Sequence, residues 1–253
     1  AEERPVPTAA PEAAPWQAAL PGKVGTVGVC YQTLAQSDYE RFYSRYLRAR
    51  YGWALSDFGK PGLPKSPAVS ALLPAHAAGK LLQGDTCTRD LTFPSDNPLF
   101  ASLLPRRTQV TLVPNGNAAE LTVTLLDKPA VRLPEAYWVR FDVPGLKRVL
   151  ARKVGEWVDV MDVVERGARR QHGVDDEVRL VTEAGTLRIR PREAFLLNVG
   201  KEFGLSYDKT LPDLAGGVQF CLLDNFWGTN FAMWCEGSMA FRFTITWEPA
   251  TKQ

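Results

Sequence analysis

The sequence predicts a mainly β protein: a large antiparallel β-sandwich with one helix near its start and a proline-rich tail. Three observations lead to this prediction. From residue 107 onward, short runs of alternating apolar and polar residues recur between turn residues. Apolar residues recur at helical spacing in one segment, near residue 40. The chain also has neither an internal repeat nor the strand–helix alternation of a parallel sheet.

Length and charge limit the class of protein. The 253 residues suffice for one large β domain or two small ones. With 30 Lys and Arg against 28 Asp and Glu, the net charge of +2 is too balanced to indicate a nucleic-acid or acidic-membrane partner. No apolar run reaches the roughly 18 residues of a membrane span. We therefore expect a soluble chain.

The compartment stays open at this stage. No secretory signal is visible in the sequence from Ala1 onward, and the start Ala1-Glu2-Glu3 fits either a mature end left by processing or the start of a fragment. A secreted or processed protein is compatible with both.

Composition suggests three segments. Residues 1–22 hold five prolines and seven alanines without periodicity, which predicts a tail or linker anchored by Trp16. Residues 23–105 form a strand, helix and loop lead-in packed on the sandwich. Residues 106–253 form the β-sandwich itself.

The lead-in opens with a strand and a helix. Residues 23–31 alternate valine and cysteine with glycine and threonine, which predicts a strand. Ser37 and Asp38 predict a helix cap, and the apolar stripe that follows predicts core contacts. Residues 63–105 predict surface loops with short strands such as 91–93. The stripe consists of Tyr39, Phe42, Tyr43, Tyr46 and Leu47.

Strands dominate after residue 107. Runs at 108–113 and 120–126 flank Asn115-Gly116, a pair that favours a hairpin turn. A second hairpin is predicted across residues 183–185. The remaining predicted strands are 137–141, a strand and turn within 149–164, 195–199, 218–223 and 239–247.

The four cysteines do not suggest a metal centre. They lack C-x-x-C spacing, so a zinc site is not predicted. Their number is even and a bridge between Cys221 and Cys235 is one alternative, while buried free thiols are the default. The four are Cys30, Cys87, Cys221 and Cys235.

The stretch Gly216–Thr244 carries the most distinctive chemistry. Between its two strands, residues 224–234 hold four large aromatic side chains and two amides. Aromatic faces and amides suit sugar rings, whose hydroxyls need donors and acceptors. The same residues also suit a core plug, with the amides bonding a turn. The candidate substrate-binding residues are Asp224, Asn225, Trp227, Asn230, Trp234 and, elsewhere in the chain, His172.

A catalytic centre is not predicted. Two histidines exclude a multi-histidine metal cluster within the chain, and a lone histidine such as His172 is more often structural than catalytic. Glycoside hydrolysis commonly uses two carboxylates that flank one bond. Asp127 with Lys128 or Arg132, and Glu135 with an arginine, are more simply local ion pairs or turn caps.

The closing stretch resembles a known family. Asn225–Trp234 followed by Phe241–Phe243 is similar to the closing motif N-x-W-G-T-N-F-x-M-W and F-R-F of bacterial α-mannosidase-type glycoside hydrolases of the family 38 type. The chain departs from that pattern at Asp224, Ala232 and around His172. Further similar segments occur in order: YQTLAQSDYERF (31–42), DFGKPGL (57–63), DKPAVRLPEAYW (127–138), KVGEWVDVMDVV (153–164) and LPDLAGGVQF (211–220).

The resemblance implies the C-terminal β-sandwich half of such proteins, a supersandwich of the galactose-mutarotase-like kind. In that family an N-terminal barrel-like domain binds zinc and supplies the aspartate nucleophile, and this sequence contains no similar segment. The resemblance therefore implies no cofactor in this chain, with zinc in a partner catalytic domain.

Three functions are compatible with these observations. The favoured one is a C-terminal subunit or processed fragment that supports a sugar cleft, with a catalytic α-mannosidase-like chain as partner. The second is a non-catalytic carbohydrate-binding module that holds a glycan with Asn225, Trp227, Asn230 and Trp234. The third, close behind the first because of the departures from the motif, is a structural subunit of an assembly, held partly by the tail.

Overall fold

Two antiparallel β-sheets make up the core of the protein. The computed structural model describes residues 14–49, 52, 59–83, 86–164, 167, 169–200, 204–205, 210–228 and 232–251. The bounded elements within them are sixteen strands, two α-helices and three 3-10 helices of three residues each. The prediction of a large antiparallel β-sandwich with a helix near its start is confirmed.

The elements have the following bounds. The helices are α1 (Gln36–Tyr46) and α2 (Phe100–Leu103). The strands are β1 (Gln17–Ala19), β2 (Thr26–Thr33), β3 (Ala71–Pro74), β4 (His76–Gln83), β5 (Thr86–Thr92), β6 (Arg107–Asn115), β7 (Ala118–Lys128), β8 (Glu135–Asp142), β9 (Arg148–Lys153), β10 (Glu156–Asp159), β11 (Gln171–Gly173), β12 (Val178–Thr182), β13 (Gly185–Pro191), β14 (Leu196–Val199), β15 (Val218–Asp224) and β16 (Gly237–Pro249).

The two sheets differ in size. The seven-stranded sheet runs β1-β2-β8-β15-β14-β11. Its seventh strand, β3, pairs with residues 30–33 of β2, whereas β1 pairs with residues 26–28. The nine-stranded sheet runs β10-β9-β12-β13-β16-β7-β6-β5-β4. Every strand that the sequence patterns predict overlaps a strand of one of the two sheets. The elements missed by the sequence patterns are β1, β3, β4, β11 and α2.

The main core lies between the sheets. Alternate residues of β2 and β8 point inward, and so do Leu121, Val123 and Leu125 of β7. The rings of Phe141, Phe220 and Phe243 meet at centroid distances of 5.4 to 6.0 Å. Burial of this apolar surface, at about 25 cal/mol per Å2, is the main stabilising contribution to the fold.

Helix α1 covers the outer face of the seven-stranded sheet as a third layer. Tyr39 and Tyr43 are buried there, in one cluster with Trp138, Cys221 and Phe226. The predicted stripe is therefore confirmed at these two tyrosines, whereas Tyr46 is 48% exposed.

The start of α1 differs slightly from the predicted cap. The helix begins at Gln36, and Asp38 lies in its first turn. The Asp38 carboxylate accepts a hydrogen bond of 2.8 Å from the Ala35 N–H, so it satisfies the backbone before the helix rather than beginning it.

Strands on both sides of residue 105 share the same sheets. From the predicted lead-in, β2 and β3 lie in the seven-stranded sheet and β4 and β5 in the nine-stranded sheet. The division into segments stays a prediction. Residues 1–13 of the tail lie outside the described residues, and Trp16 is buried in the main core.

All four cysteines are free thiols, and Cys221 is buried. Cys221 and Cys235 therefore form no bridge. Among the residues that the structure describes, no helix is long and apolar enough to cross a membrane.

Candidate functional site

The candidate site lies at the segment between β15 and β16, residues 225–236, here called the closing loop. Its described residues, 225–228 and 232–236, bond the connection from β7 to β8 through Asn225 and Cys235. Four of the predicted site residues lie on this segment or directly before it: Asp224, Asn225, Trp227 and Trp234. The fifth residue of the segment, Asn230, lies outside the described residues.

A backbone irregularity at the end of β7 buries Lys128 next to the closing loop. Along β7, Ala119, Leu121, Val123 and Leu125 alternate inward, so Asp127 would be the next buried residue. Asp127 instead has φ of 50°, an uncommon left-handed conformation for a non-glycine residue. The alternation shifts by one residue, and Lys128 is buried in place of Asp127.

Lys128 pairs with Glu135 inside the protein. The Nζ of Lys128 and the Oε1 of Glu135 are 2.5 Å apart, and the side chains are 0% and 1% exposed. The pair joins the last residue of β7 in one sheet to the first residue of β8 in the other. Tyr31 on β2 donates a hydrogen bond of 2.9 Å to the other Glu135 oxygen. Glu135 therefore pairs with a lysine across the two sheets, and the expected partnership with an arginine was wrong.

Two lysines hold the backbone of the closing loop. Lys128 donates to the carbonyl of Cys235 at 2.9 Å and to that of Pro129 at 3.0 Å. Lys60, which is 5% exposed, donates to the carbonyl of Met233 at 2.7 Å. Because buried ammonium groups need such partners, these contacts fix residues 233–235 against the end of the sandwich.

Burial moves the pKa values of Glu135 and Lys60 toward neutral pH. It raises the pKa of Glu135 to about 7, although Lys128, Tyr31 and Lys60 act in the opposite direction. Burial also lowers the pKa of Lys60 to about 8, opposed by the charges of Glu135 and Asp224. Since the Glu135 carboxyl is enclosed, it supports the loop and does not meet a dissolved substrate.

Asn225 acts as a clamp within the protein. Its Oδ1 accepts from the Glu135 N–H at 2.7 Å, and its Nδ2 donates to the Val131 carbonyl at 2.8 Å. Its own N–H donates to the Glu135 carbonyl at 3.1 Å. With 4% exposure, this amide bonds the backbone of a turn, the alternative that the sequence left open beside sugar contact.

Asp224 and Trp227 lie on the side of the loop that faces α1. Asp224 accepts a hydrogen bond of 3.4 Å from the Cys221 thiol, and burial raises the pKa of this carboxyl. Trp227 is half-buried, and its ring meets that of Phe42 edge-on at 6.0 Å. Tyr39 donates a hydrogen bond to the carbonyl of Phe226, so α1 also holds the first residues of the loop.

Among the described residues of the closing loop, Trp234 has the most exposed aromatic side chain. Its side chain is 39% exposed, and the guanidinium of Arg132 lies 4.2 Å from the centre of its ring. An exposed indole with a stacked arginine offers both an apolar face and hydrogen-bond donors. Such a surface is chemically suited to a sugar ring.

His172 lies apart from the other predicted residues. It is buried on β11 and pairs with Leu197, which pairs with Phe220, four residues before Asp224. Its ring nitrogens lie 3.2 Å from Lys153 Nζ and 3.3 Å from the Arg169 carbonyl. Burial, together with the nearby Lys153 charge, lowers the pKa of His172 to about 4. Asp224, Asn225, Trp227 and Trp234 therefore lie on the closing loop or directly before it, each with its own partners, whereas His172 lies on β11.

Sequence reasoning missed the buried lysines and the role of Glu135. In sequence, Lys128 follows an acidic residue at the end of a strand, a typical surface pattern, and Lys60 precedes a Pro-Gly turn. The left-handed residue that buries Lys128 has no signature in the sequence. Lys60 meets Met233 only through tertiary packing, because 173 residues separate them.

A groove of about 240 Å3 lies in the surface of the sandwich, apart from the closing loop. Its apolar lining includes Leu91, Phe93 and Leu104. Arg106 and Arg107 also line it. Arg107 donates to Asp90 at 2.7 Å, so this arginine already has a carboxylate partner. The groove contains none of the predicted site residues.

Metal ligands are not gathered in the described part of the chain. No group of three or more His, Cys, Asp or Glu side chains lies close enough there to hold an ion.

The fold is similar to part of an α-mannosidase. A solved α-mannosidase from Enterococcus faecalis V583 matches with a TM-score of 0.51 and 10% identity, over 89% of this chain and 26% of that chain. A glycosyl hydrolase family 38 protein from Enterococcus faecalis matches with a TM-score of 0.49 and 11% identity, over 89% of this chain and 27% of that one. At these identities the likeness shows the fold alone.

An aldose 1-epimerase-type protein of Escherichia coli K12 is a more distant match, with a TM-score of 0.40 and 8% identity over 68% of each chain. No family model matches the sequence, and no curated protein does. The chain spans about a quarter of the length of the two hydrolase structures.

Proposed function

We propose that this chain is a β-sandwich module of an α-mannosidase-like glycoside hydrolase, which supports and partly lines a sugar cleft whose catalytic residues lie on another chain or segment. The observation that carries the proposal is the shared fold: 89% of this chain superposes on about a quarter of a solved α-mannosidase. The motif that ends in Trp234 points to the C-terminal sandwich of such enzymes, the region that this module would represent.

The closing loop is suited to line such a cleft. Lys60, Lys128 and Asn225 hold its backbone, so its surface groups are positioned before any ligand arrives. Among the described residues of the loop region, Trp234 offers a partly exposed indole and Arg132 a cation stacked on it. In this proposal they contact the sugar, and the partner supplies the acid, the nucleophile and zinc.

Purification from the native source tests the proposal. We expect the native assembly to contain this polypeptide together with a stoichiometric chain or segment that carries a zinc-binding catalytic domain. Native mass spectrometry with peptide identification would establish its composition. A protein that runs alone, or in an assembly without a hydrolase, would overturn the proposal.

The second candidate function is carbohydrate binding without catalysis. The exposure of Trp234 beside Arg132 supports it, because a stacked indole can hold a pyranose unaided. In this case the isolated chain would bind mannose-containing oligosaccharides in calorimetry, and Trp234→Ala would abolish binding.

Trp157 provides a matched control. It is 37% exposed and stacks with Arg179 at 4.0 Å, so its surroundings resemble those of Trp234, but it lies on β10. Trp157→Ala should leave glycan binding unchanged. Equal losses in both variants would instead indicate a non-specific effect of removing a surface indole.

A further inference from the structure

The turn between β9 and β10 carries an unfavourable residue at an exposed position. Its two central residues are Val154 and Gly155, since Lys153 pairs with Glu156. Their φ angles are 51° and 84°, so both are left-handed, as in a type I′ turn. Such turns favour asparagine, aspartate or glycine, whereas a β-branched residue is strained at positive φ. Val154 is 95% exposed, so packing within this chain does not offset the strain.

The surrounding structure nevertheless supports this turn. The Gly155 N–H donates to the Asp175 carboxylate at 2.8 Å, and the Asp175 N–H donates to the Arg152 carbonyl at 2.8 Å. Hydrogen bonds from the Gly155 and Val154 N–H groups lower the pKa of Asp175, which keeps its carboxylate charged. The turn therefore holds the isopropyl group of Val154 on the exterior. Backbone strain that its surroundings maintain points to a function rather than to stability.

The strained turn lies at the same end of the sandwich as the closing loop. Strand β15 runs into the closing loop, and its residue Cys221 pairs with Leu196, the first residue of β14. The carbonyl of Phe195, directly before β14, accepts a hydrogen bond of 2.9 Å from the Val174 N–H. The next residue, Asp175, holds the turn. Hydrogen-bonded neighbours therefore connect the end of β15 to the turn.

Phe195 adds a second exposed apolar side chain along this path. It is 46% exposed, and Val154 and Phe195 are together called the apolar corner. Exposed apolar residues that lie near one another mark interaction sites. Because neighbouring strands are about 4.8 Å apart, the corner lies on the order of 15 Å from β15.

The occupant of the corner follows from the proposed function, on which this inference rests. In that function a catalytic chain or segment meets the closing loop, since Trp234 and Arg132 contact a sugar that the partner cleaves. A stable protein interface covers about 800 Å2 on each side, a patch roughly 30 Å across. A partner that reaches the closing loop with such an interface also covers the apolar corner.

We infer that the apolar corner is a docking site for the catalytic chain or segment, with Val154 seated in an apolar depression of that partner. The strained turn is retained because it presents the isopropyl group to the partner.

Photo-crosslinking of the native assembly tests the docking. A benzophenone amino acid replaces Val154 or, as a control, Val113, which is 38% exposed near the β6–β7 turn at the other end of the sheet. Mass spectrometry of the linked peptides identifies what each position touches. We expect position 154 to link to the catalytic chain or segment and position 113 not to. Links from position 154 to a second copy of this chain, no links, or equal links from both positions would overturn the inference.

Val154→Asn separates docking from folding. Asparagine suits the first position of a type I′ turn, so this chain should unfold at the same urea concentration as the wild type or at a higher one. The urea concentration that detaches the partner should fall, because the apolar contact is lost. Detachment at the wild-type concentration would contradict the docking of Val154.

The failure of this inference differs from the failure of the proposed function. A native assembly without a hydrolase chain or segment overturns the proposed function, and the docking inference with it. An assembly that contains the hydrolase, but without links from position 154 to it, overturns the docking inference alone.

Discussion

Lys128 and Glu135 face each other across the two sheets, 2.5 Å apart and with almost no exposure to solvent. Seven positions apart in sequence, they occupy the two ends of the connection that leads from one sheet to the other. Their charges also determine how the closing loop is held, because Lys128 bonds both Glu135 and the Cys235 carbonyl. The stability of the protein should therefore depend on both side chains of this pair.

Loss of Lys128 should be costly. Lys128→Met leaves the Glu135 carboxylate buried without its cation, and removal of one partner from a buried pair costs about 3–5 kcal/mol of unfolding free energy. Urea unfolding measures this difference. Lys128→Met combined with Glu135→Leu should recover much of the loss, since an apolar pair replaces the two charges.

The pair Lys147–Glu183 is the control for this experiment. Its atoms are 3.2 Å apart, but the side chains are 58% and 85% exposed. Lys147→Met should change the free energy of unfolding by less than about 1 kcal/mol. If Lys128→Met and Lys147→Met lowered the free energy of unfolding by similar amounts, burial would not explain the strength of the Lys128–Glu135 pair.

Stability should respond to the ionisation of Glu135. Its pKa is raised by burial to about 7, above the ordinary value of 4.5. The folded state thus binds the proton more tightly, and the contribution of Glu135 is full below pH 4.5 and is lost as the pH rises through 7.

Comparison with Glu135→Gln isolates this contribution. Urea titrations from about pH 5 to about pH 7.5 should show the wild type losing stability relative to the variant, by at most about 1.4 kcal/mol per pH unit. An increase in the relative stability of the wild type over this range would refute the assignment.

Glu177 should show the opposite pH dependence. Burial alone would raise its pKa, but hydrogen bonds from Arg188, Arg179 and Arg190, of 2.7 to 2.9 Å, lower it to about 2. Its contribution is therefore present above pH 4.5 and is lost as the pH falls toward 2. The free energies of unfolding of the wild type and Glu177→Gln should therefore be compared by urea titration at decreasing pH. We expect the advantage of the wild type to shrink below pH 4.5. A constant difference between the two proteins would contradict this prediction.

Substitution of Asn225 should affect folding first. Asn225→Leu leaves the Glu135 N–H and the Val131 carbonyl without their partner, at about 1–3 kcal/mol for each buried group. The exposed Asn117, which donates to the Trp247 carbonyl at 2.9 Å, offers the control Asn117→Leu, with an expected cost below about 1 kcal/mol. Chemical unfolding of both variants measures the contrast. Equal costs would mean that Asn225 is not a buried clamp.

Most of the sandwich follows from alternation in the sequence. Strands β6, β7 and β16 alternate inward and outward over much of their length, and Asn115-Gly116 marks the turn between β6 and β7. In contrast, β4 reads HAAGKLLQ, without β-branched residues and with a central glycine, so its pattern resembles a loop. Tertiary pairing with β5 decides its conformation.

The sequence indicates where a site is to be sought, but it does not determine what the candidate residues contact. Aromatic and amide residues in Gly216–Thr244 marked the closing loop as unusual. The sequence could not decide whether Asn225 faces a sugar or the backbone of Glu135, because 90 residues separate the two partners. The inward turn of Lys128 depends on one dihedral angle at Asp127.

The central place of β16 has a consequence for the order of folding. Its 13 residues lie between β13 and β7 in the nine-stranded sheet. The nine-stranded sheet therefore consists of two half-sheets that are joined only when β16 inserts between them. One half contains β10, β9, β12 and β13, and the other contains β7, β6, β5 and β4. During synthesis on the ribosome, the facing edges of β13 and β7 stay unpaired until β16, Gly237–Pro249, has emerged. We expect slow, late closure of the sheet, with the greatest exposure to aggregation just before β16 arrives.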